Sequence, residues 1–329
     1  MVHQNQNYGR EIGMMKMKRL GNSSLTVSSI ALGGNIFGWT ADESTSFKIL
    51  DAFVSSGFNF IDTADMYSTW ARGNRGGESE TIIGRWLKQS GKRDQVVIAT
   101  KVGKPMSPGK RGLSKSYIQS AVEASLQRLQ TDYIDLYQSH EDDPETPLEE
   151  TLEAYEELIE QGKIKVIGAS NYTANRLSEA LRVSKEHKLP RYESLQPLYN
   201  LYDRTEFEGP LEQLCLKEGL GVISYYSLAS GFLTGKYRTE KDLSQSPRGS
   251  TVKNYVNPRG FRILETLDRV AERYSSTPAQ VALAWLMARP SITAPIASAT
   301  NLNQLKDLVE SQTVKLDQLS IEELNQASA

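Results

Sequence analysis

Short apolar runs alternate along the chain with longer stretches in which apolar positions recur every third or fourth residue. Residues 30–33, the run ending at Asp62, and residues 96–100, 134–137, 164–168, 193–196, 221–224 and 292–296 read as buried strands. The stretches between them read as helices. Residues 42–56 set Phe47, Leu50, Phe53 and Val54 on one face and stop at Gly57; residues 78–88 turn Ile82, Ile83, Trp86 and Leu87 inward. Ile118, Val122, Leu126 and Leu129 mark another. Thr146 and Glu149 predict a capping box, with Pro147 at the first helical position and Gly162 just past the end, and Thr277 and Gln280 repeat the box. Residues 16–20 and 25–28, on either side of Gly-Asn-Ser-Ser, predict a small hairpin ahead of the first strand. Eight strands alternating with helices at roughly 30–40-residue intervals predict an α/β fold of (β/α)8 TIM-barrel type. It carries an N-terminal β-hairpin and a long loop after strand seven, centred on the polar residues 238–258. A doubly wound sheet is the alternative, but no G-x-G-x-x-G sits between a strand and a helix.

Composition narrows the function. The 329 residues suit one barrel domain over 16–329, with a polar extension at 1–15 expected to be disordered. Thirty-eight basic residues against 40 acidic ones, and a pI near 6.1, give no reason to expect nucleic acid or an anionic membrane as partner. No apolar run reaches the ~18–20 residues of a membrane helix, and 1–13 lacks the apolar core of a signal peptide. One cysteine, Cys215, within a helical run, excludes an internal disulfide framework. A cytoplasmic protein is expected, as monomer or homo-oligomer, with no metal.

Side chains just past the C-terminal ends of barrel strands converge on one mouth. Asp62 and Tyr67 follow strand two, Lys101 strand three and His140 strand four. An ammonium beside a phenol favours phenolate, so Lys101, held by Asp62, is expected to lower the tyrosine pKa from its usual ~10 and make Tyr67 a proton donor. His140 can donate a hydrogen bond to a carbonyl oxygen. Taken singly, Asp62 reads as a loop cap, Tyr67 as one of 15 tyrosines and His140 as a loop histidine; four such groups at consecutive strand ends read as a catalytic set. Ile36, Phe37, Trp39, Met66 and Trp70 are expected at the same mouth as an apolar substrate wall. Arg72 and Arg75 there would either favour anionic substrates or sit in solvent.

The run Asp62-Thr63-Ala64-Asp65-Met66-Tyr67 is similar to the D-T-A-x-x-Y signature of the aldo-keto reductases, and the chain resembles that family from about residue 18 to 309. The resemblance implies NADPH bound across the barrel mouth without a Rossmann glycine motif, a small-molecule carbonyl substrate, and Tyr67 as the general acid tuned by Lys101 and Asp62. It also implies a set of cofactor contacts. Ser170, Asn171 and Gln196 would hold the nicotinamide carboxamide, Tyr225 would stack on the ring, and Gly34 and Asn35 would meet its end. Ser227, Leu228 and the segment from Gly231 to Lys236 would bind the pyrophosphate, with Arg248 covering the cofactor. Ser298, Thr300, Gln304 and Asp307 would line the adenosine site. Members with a Lys or Arg near position 298 differ from this chain, so NADH is expected as a weaker alternative cofactor. Gly231–Lys236 falls one residue short of a P-loop and has Tyr237 where Ser or Thr would be needed. A Schiff-base role for Lys101 is a further alternative. Resemblance to potassium-channel β subunits in the adenosine segment implies another: a slow-turnover NADP(H)-binding sensor or regulatory subunit.

Overall fold

A computed structural model describes residues 17–329; the predicted extension at 1–15 and the start of the hairpin lie outside the described residues. β1 (Met17–Arg19) and β2 (Thr26–Ser28) pair antiparallel. Eight parallel strands follow: β3 (Ala31–Gly33), β4 (Phe60–Asp62), β5 (Val97–Val102), β6 (Ile134–Ser139), β7 (Ile164–Ser170), β8 (Ser194–Gln196), β9 (Gly221–Val222) and β10 (Ile296–Ala297). They lie in the order β10-β3-β4-β5-β6-β7-β8-β9. The two ends of this sheet meet, since Thr293 N–H donates to the Val222 carbonyl at 2.9 Å and Ile296 N–H to that of Ser224 at 2.8 Å. The chain is a (β/α)8 barrel with an N-terminal hairpin.

Residue parity explains where the barrel is apolar and where it is not. Successive strand residues face opposite sides. Ile61, Ile98 and Tyr137 point outward into the main core beneath the helices, whereas Phe60, Val97, Ala99, Leu136, Val166, Ile223 and Ile296 fill the interior. Leu20, Leu25 and Val27 of the hairpin join this inner cluster, so the hairpin plugs one end of the barrel. Two residues further along each strand the inward position turns polar: Phe60 gives way to Asp62, Ala99 to Lys101, and Leu136 to Gln138 and then His140. The site stands on that change.

Element boundaries differ from expectation in several places. The last strand was expected at 292–296, but its regular ladder is Ile296–Ala297, because Pro295 has no N–H to donate and only accepts, from Ala31 N–H at 3.0 Å. The capping box at Thr277 and Gln280 forms, with reciprocal bonds of 3.3 and 3.1 Å. The one at Thr146 does not. Asp143 takes the Thr146 hydroxyl at 2.8 Å, Glu149 turns to His187 Nδ1 at 2.7 Å, and Pro147 becomes the cap residue of the helix Leu148–Glu160. The loop 238–258 holds short helical pieces, Glu240–Gln245, Gly249–Val252 and Lys253–Tyr255. Two helices left unassigned by the apolar pattern, Leu302–Glu310 and Gln318–Ala327, follow the last strand.

Candidate active site

The four strand-end side chains meet at the floor of one cleft. Lys101, fully buried, uses its three N–H groups on Asp62 Oδ2 at 2.7 Å, the Thr63 carbonyl at 2.8 Å and the Tyr67 hydroxyl oxygen at 2.9 Å. The Tyr67 hydroxyl in turn lies 3.2 Å from Asp62 Oδ2, to which it donates. Asp62, 1% exposed, receives Gln196 Nε2 on its other oxygen at 2.9 Å. The His140 ring lies 6.1 Å from that of Tyr67, centroid to centroid, nearly edge-on. Its Nδ1 is buried without a hydrogen-bond partner among the described residues.

The electrostatics depart from expectation in one respect. Burial, with Asp62 adding to it, pushes the Tyr67 phenol well above its ordinary 10.0 rather than below it. Lys101 does not win because its charge is already matched by a carboxylate at 2.7 Å, so the phenol faces a nearly neutral pair inside a desolvated pocket. Tyr67 therefore holds its proton throughout the neutral range. Burial also lowers Lys101 from 10.5, against the pull of Asp62. His140 is driven well below 6.5, first by burial and then by Lys101, which leaves a neutral imidazole with one N–H to give.

The residue pattern missed part of this floor. Gln138, fully buried, accepts from Gln196 Nε2 at 3.2 Å and turns its own Nε2 toward Asp62 Oδ1 at 3.5 Å. Its signal was its place on β6, the inward position between Leu136 and His140. Beneath the floor Glu80 accepts from Thr100 Oγ1 and from Arg128 Nε, both at 2.6 Å. Asp65, 2% exposed, has neither carboxylate oxygen paired among the described residues. Burial, reinforced by Glu80, raises it well above 3.8.

The cleft, about 830 Å³, runs from Asp62, Tyr67 and His140 to Gln304 and Asp307. Asn35, Ser170, Asn171, Gln196, Tyr225, Ser227, Leu228, Gly231, Lys236, Arg248, Ser298 and Thr300 line it as well. Gly34 does not: its N–H is spent on the Asp62 carbonyl at 2.7 Å, and Gly33 faces the cleft in its place. Phe37 belongs to the core, while Ile36, Met66 and Trp70 do line the mouth. Arg72 and Arg75 are exposed and lie off the cleft. Asn171, at φ 58°, is pinned by its own bond to the His140 carbonyl (2.9 Å) and by the Tyr225 hydroxyl (2.8 Å). Tyr226, Ala229, Ser230 and Gly231 all have positive φ, of 55°, 47°, 58° and 97°. Three of these are not glycine, and left-handed backbone of this kind costs of order 1 kcal/mol or more per residue and gathers at functional sites. Opposite them, Arg248 stacks over Trp39 at 5.4 Å with its Nη2 buried and unpartnered among the described residues.

Residues 29–329 match the sequence profile of the aldo/keto reductase family. The chain belongs to the aldo/keto reductases. Among curated members it is 36% identical over 319 residues to the uncharacterized oxidoreductase YrpG of Bacillus subtilis (strain 168), covering 94% of this chain and 95% of YrpG. It is 33% identical to protein tas of Escherichia coli (strain K12), over 92% and 95%. A probable voltage-gated potassium channel subunit beta of Arabidopsis thaliana is 32% identical, over 89% and 90%. Aldo/keto reductases are oxidoreductases that use NAD(P)H on small carbonyl compounds, and among the described residues no helix is long and apolar enough to cross a membrane.

Proposed function

We propose that this aldo/keto reductase reduces aldehydes or ketones to alcohols with NADPH, Tyr67 being the general acid. The observation that carries the reading is the buried Lys101 ammonium, 2.9 Å from the Tyr67 oxygen and 2.7 Å from Asp62, beside a neutral His140. A nicotinamide dinucleotide held by the cleft residues named below would supply the hydride. His140 donates its N–H to the substrate carbonyl oxygen and orients it. Tyr67 passes its proton to the oxygen as charge develops there; an alkoxide is a far stronger base than a phenolate, so even a raised phenol pKa leaves this transfer downhill. Lys101, already donating to the phenol oxygen, stabilises the phenolate left behind.

The cleft wall fits the dinucleotide. Lys236 and Arg248, unpaired among the described residues, suit phosphates, and the buried Nη2 of Arg248, without a partner among them, is a donor in want of an acceptor. Ser170, Asn171 and Gln196 would hold the carboxamide, Tyr225 the ring face, and Ser227, Leu228 and Gly231 the pyrophosphate. Ser298, Thr300, Gln304 and Asp307 would hold the adenosine end, with Asn35 at the other. Tyr67→Phe removes the proposed proton donor and keeps the ring. Steady-state reduction of 4-nitrobenzaldehyde should fall by about two orders of magnitude or more while NADPH affinity changes little. Near-normal turnover would remove Tyr67 from the mechanism. Similarity to the Arabidopsis channel subunit supports a second reading, a slow-turnover NADP(H)-binding redox sensor or regulatory subunit. Retention of cofactor by purified protein, with negligible oxidation by a panel of carbonyls, would select it.

A further inference from the structure

Lys104 lies three residues beyond Lys101, after Gly103, whose φ of 123° bends the chain at the end of β5. It is half-buried, lines the cleft with Tyr67 and His140, and makes no hydrogen bond or ion pair with any described residue. Its place just past the end of β5, three residues from Lys101, puts it at the reacting end of the cleft rather than the adenosine end. Of the acids that follow His140, Asp142 pairs with Arg176 at 2.8 Å and Asp143 serves Leu113 N–H and Thr146, while Glu141 lies off the cleft lining and forms no ion pair with Lys104. Of the acids lining the cleft, Asp62 is matched by Lys101 and Asp307 stands at the far end. Lining the same cleft are Ile36, Met66 and Trp70, the last 45% exposed and packed edge-on against Trp39 at 5.8 Å. The mouth thus sets an apolar, aromatic wall beside an ammonium unmatched among the described residues, while Arg248 is stacked on Trp39 on the side of the loop 238–258.

We propose that Lys104 is a specificity-determining residue that selects carbonyl substrates bearing an anionic group, a carboxylate or phosphate, on an apolar or aromatic body. The proposal rests on the reductase reading above. With the carbonyl oxygen between Tyr67 and His140, such a substrate places its anion on Lys104 and its body on Trp70. Binding it also relieves the repulsion that Lys104 exerts on the Lys101 ammonium. A neutral substrate leaves that repulsion in place.

The test compares 4-formylbenzoate with its methyl ester, which keeps the aldehyde and ring and removes the charge. The ratio of kcat/KM for the acid over the ester should fall about tenfold or more in Lys104→Gln, chiefly through KM, and recover in Lys104→Arg. In the wild type the ratio should shrink as salt rises. A ratio unchanged in Lys104→Gln, or a loss of NADPH affinity in its place, overturns the proposal and leaves the reductase reading standing. Failure of the wild type to reduce either aldehyde would instead sink the reductase reading. Calorimetric titration of both compounds then decides: tighter binding of the acid, lost in Lys104→Gln, supports the proposal, and equal binding overturns it.

Discussion

Buried charge governs this site residue by residue. Lys101 and Asp62 tolerate full desolvation because each donor and acceptor has a partner; removing either would strand the other at a cost of ~3–5 kcal/mol. Asp65 is the opposite case, buried and unpaired among the described residues, and it stays protonated well above its ordinary 3.8. Between 3.8 and the folded value the native state binds more protons at this position than the unfolded chain does, so Asp65 takes stability away as pH rises through that window. Asp65→Asn, which cannot ionise, should therefore gain in Tm relative to wild type as pH is raised from about 4 to 7, and thermal unfolding across that range checks it. A constant difference at all pH values would mean that Asp65 is ionised in the fold. Sequence alone supplied Asp62, Tyr67, Lys101 and His140 because strand ends mark the mouth. It could not supply the sign of the tyrosine shift, which depends on how deeply the pair is buried and how short its contact is.

At the scale of elements, local signatures were reliable where nothing nearby competed. The box at Thr277 and Gln280 formed; that at Thr146 and Glu149 lost to Asp143 and His187, neighbours that only the folded chain brings into reach. Gln138 was legible in principle from strand parity, while Gly33 and Gly34 differ by one position in a register that apolar runs do not fix. The loop 238–258 illustrates the limit. Its polarity marked it only as a long connection, and Arg248 was placed on the cofactor by resemblance alone; the fold brings Arg248 to the cleft, half-buried, stacked on Trp39 and with no partner for Nη2 among the described residues. Arg248→Ala should weaken NADPH more than NADH, by roughly 10- to 150-fold, the worth of a charge-assisted contact of ~1.5–3 kcal/mol. Fluorescence titration with both cofactors measures it; equal losses would put Arg248 on the pyrophosphate or the adenine instead of the 2′-phosphate.

For the molecule as a whole, alternation of short apolar runs with amphipathic stretches was enough to predict the barrel. Its closure was harder to read, because the joining strand is interrupted by Pro295 and pairs through scattered bonds rather than a ladder. The helices after the last strand escaped notice because they cover the barrel's outside with mixed surfaces. One further property belongs to the molecule entire. The chain's one cysteine, Cys215, is 1% exposed in the helix Pro210–Glu218, and burial lifts its thiol to about 12. At pH 8 only about one molecule in ten thousand would carry a thiolate, and that one is walled off from solvent. An alkylating reagent is therefore consumed only when this helix comes away from the barrel. The protein carries its own clock for that opening, readable by mass in a single labelling course, and a tightly bound nucleotide should slow it.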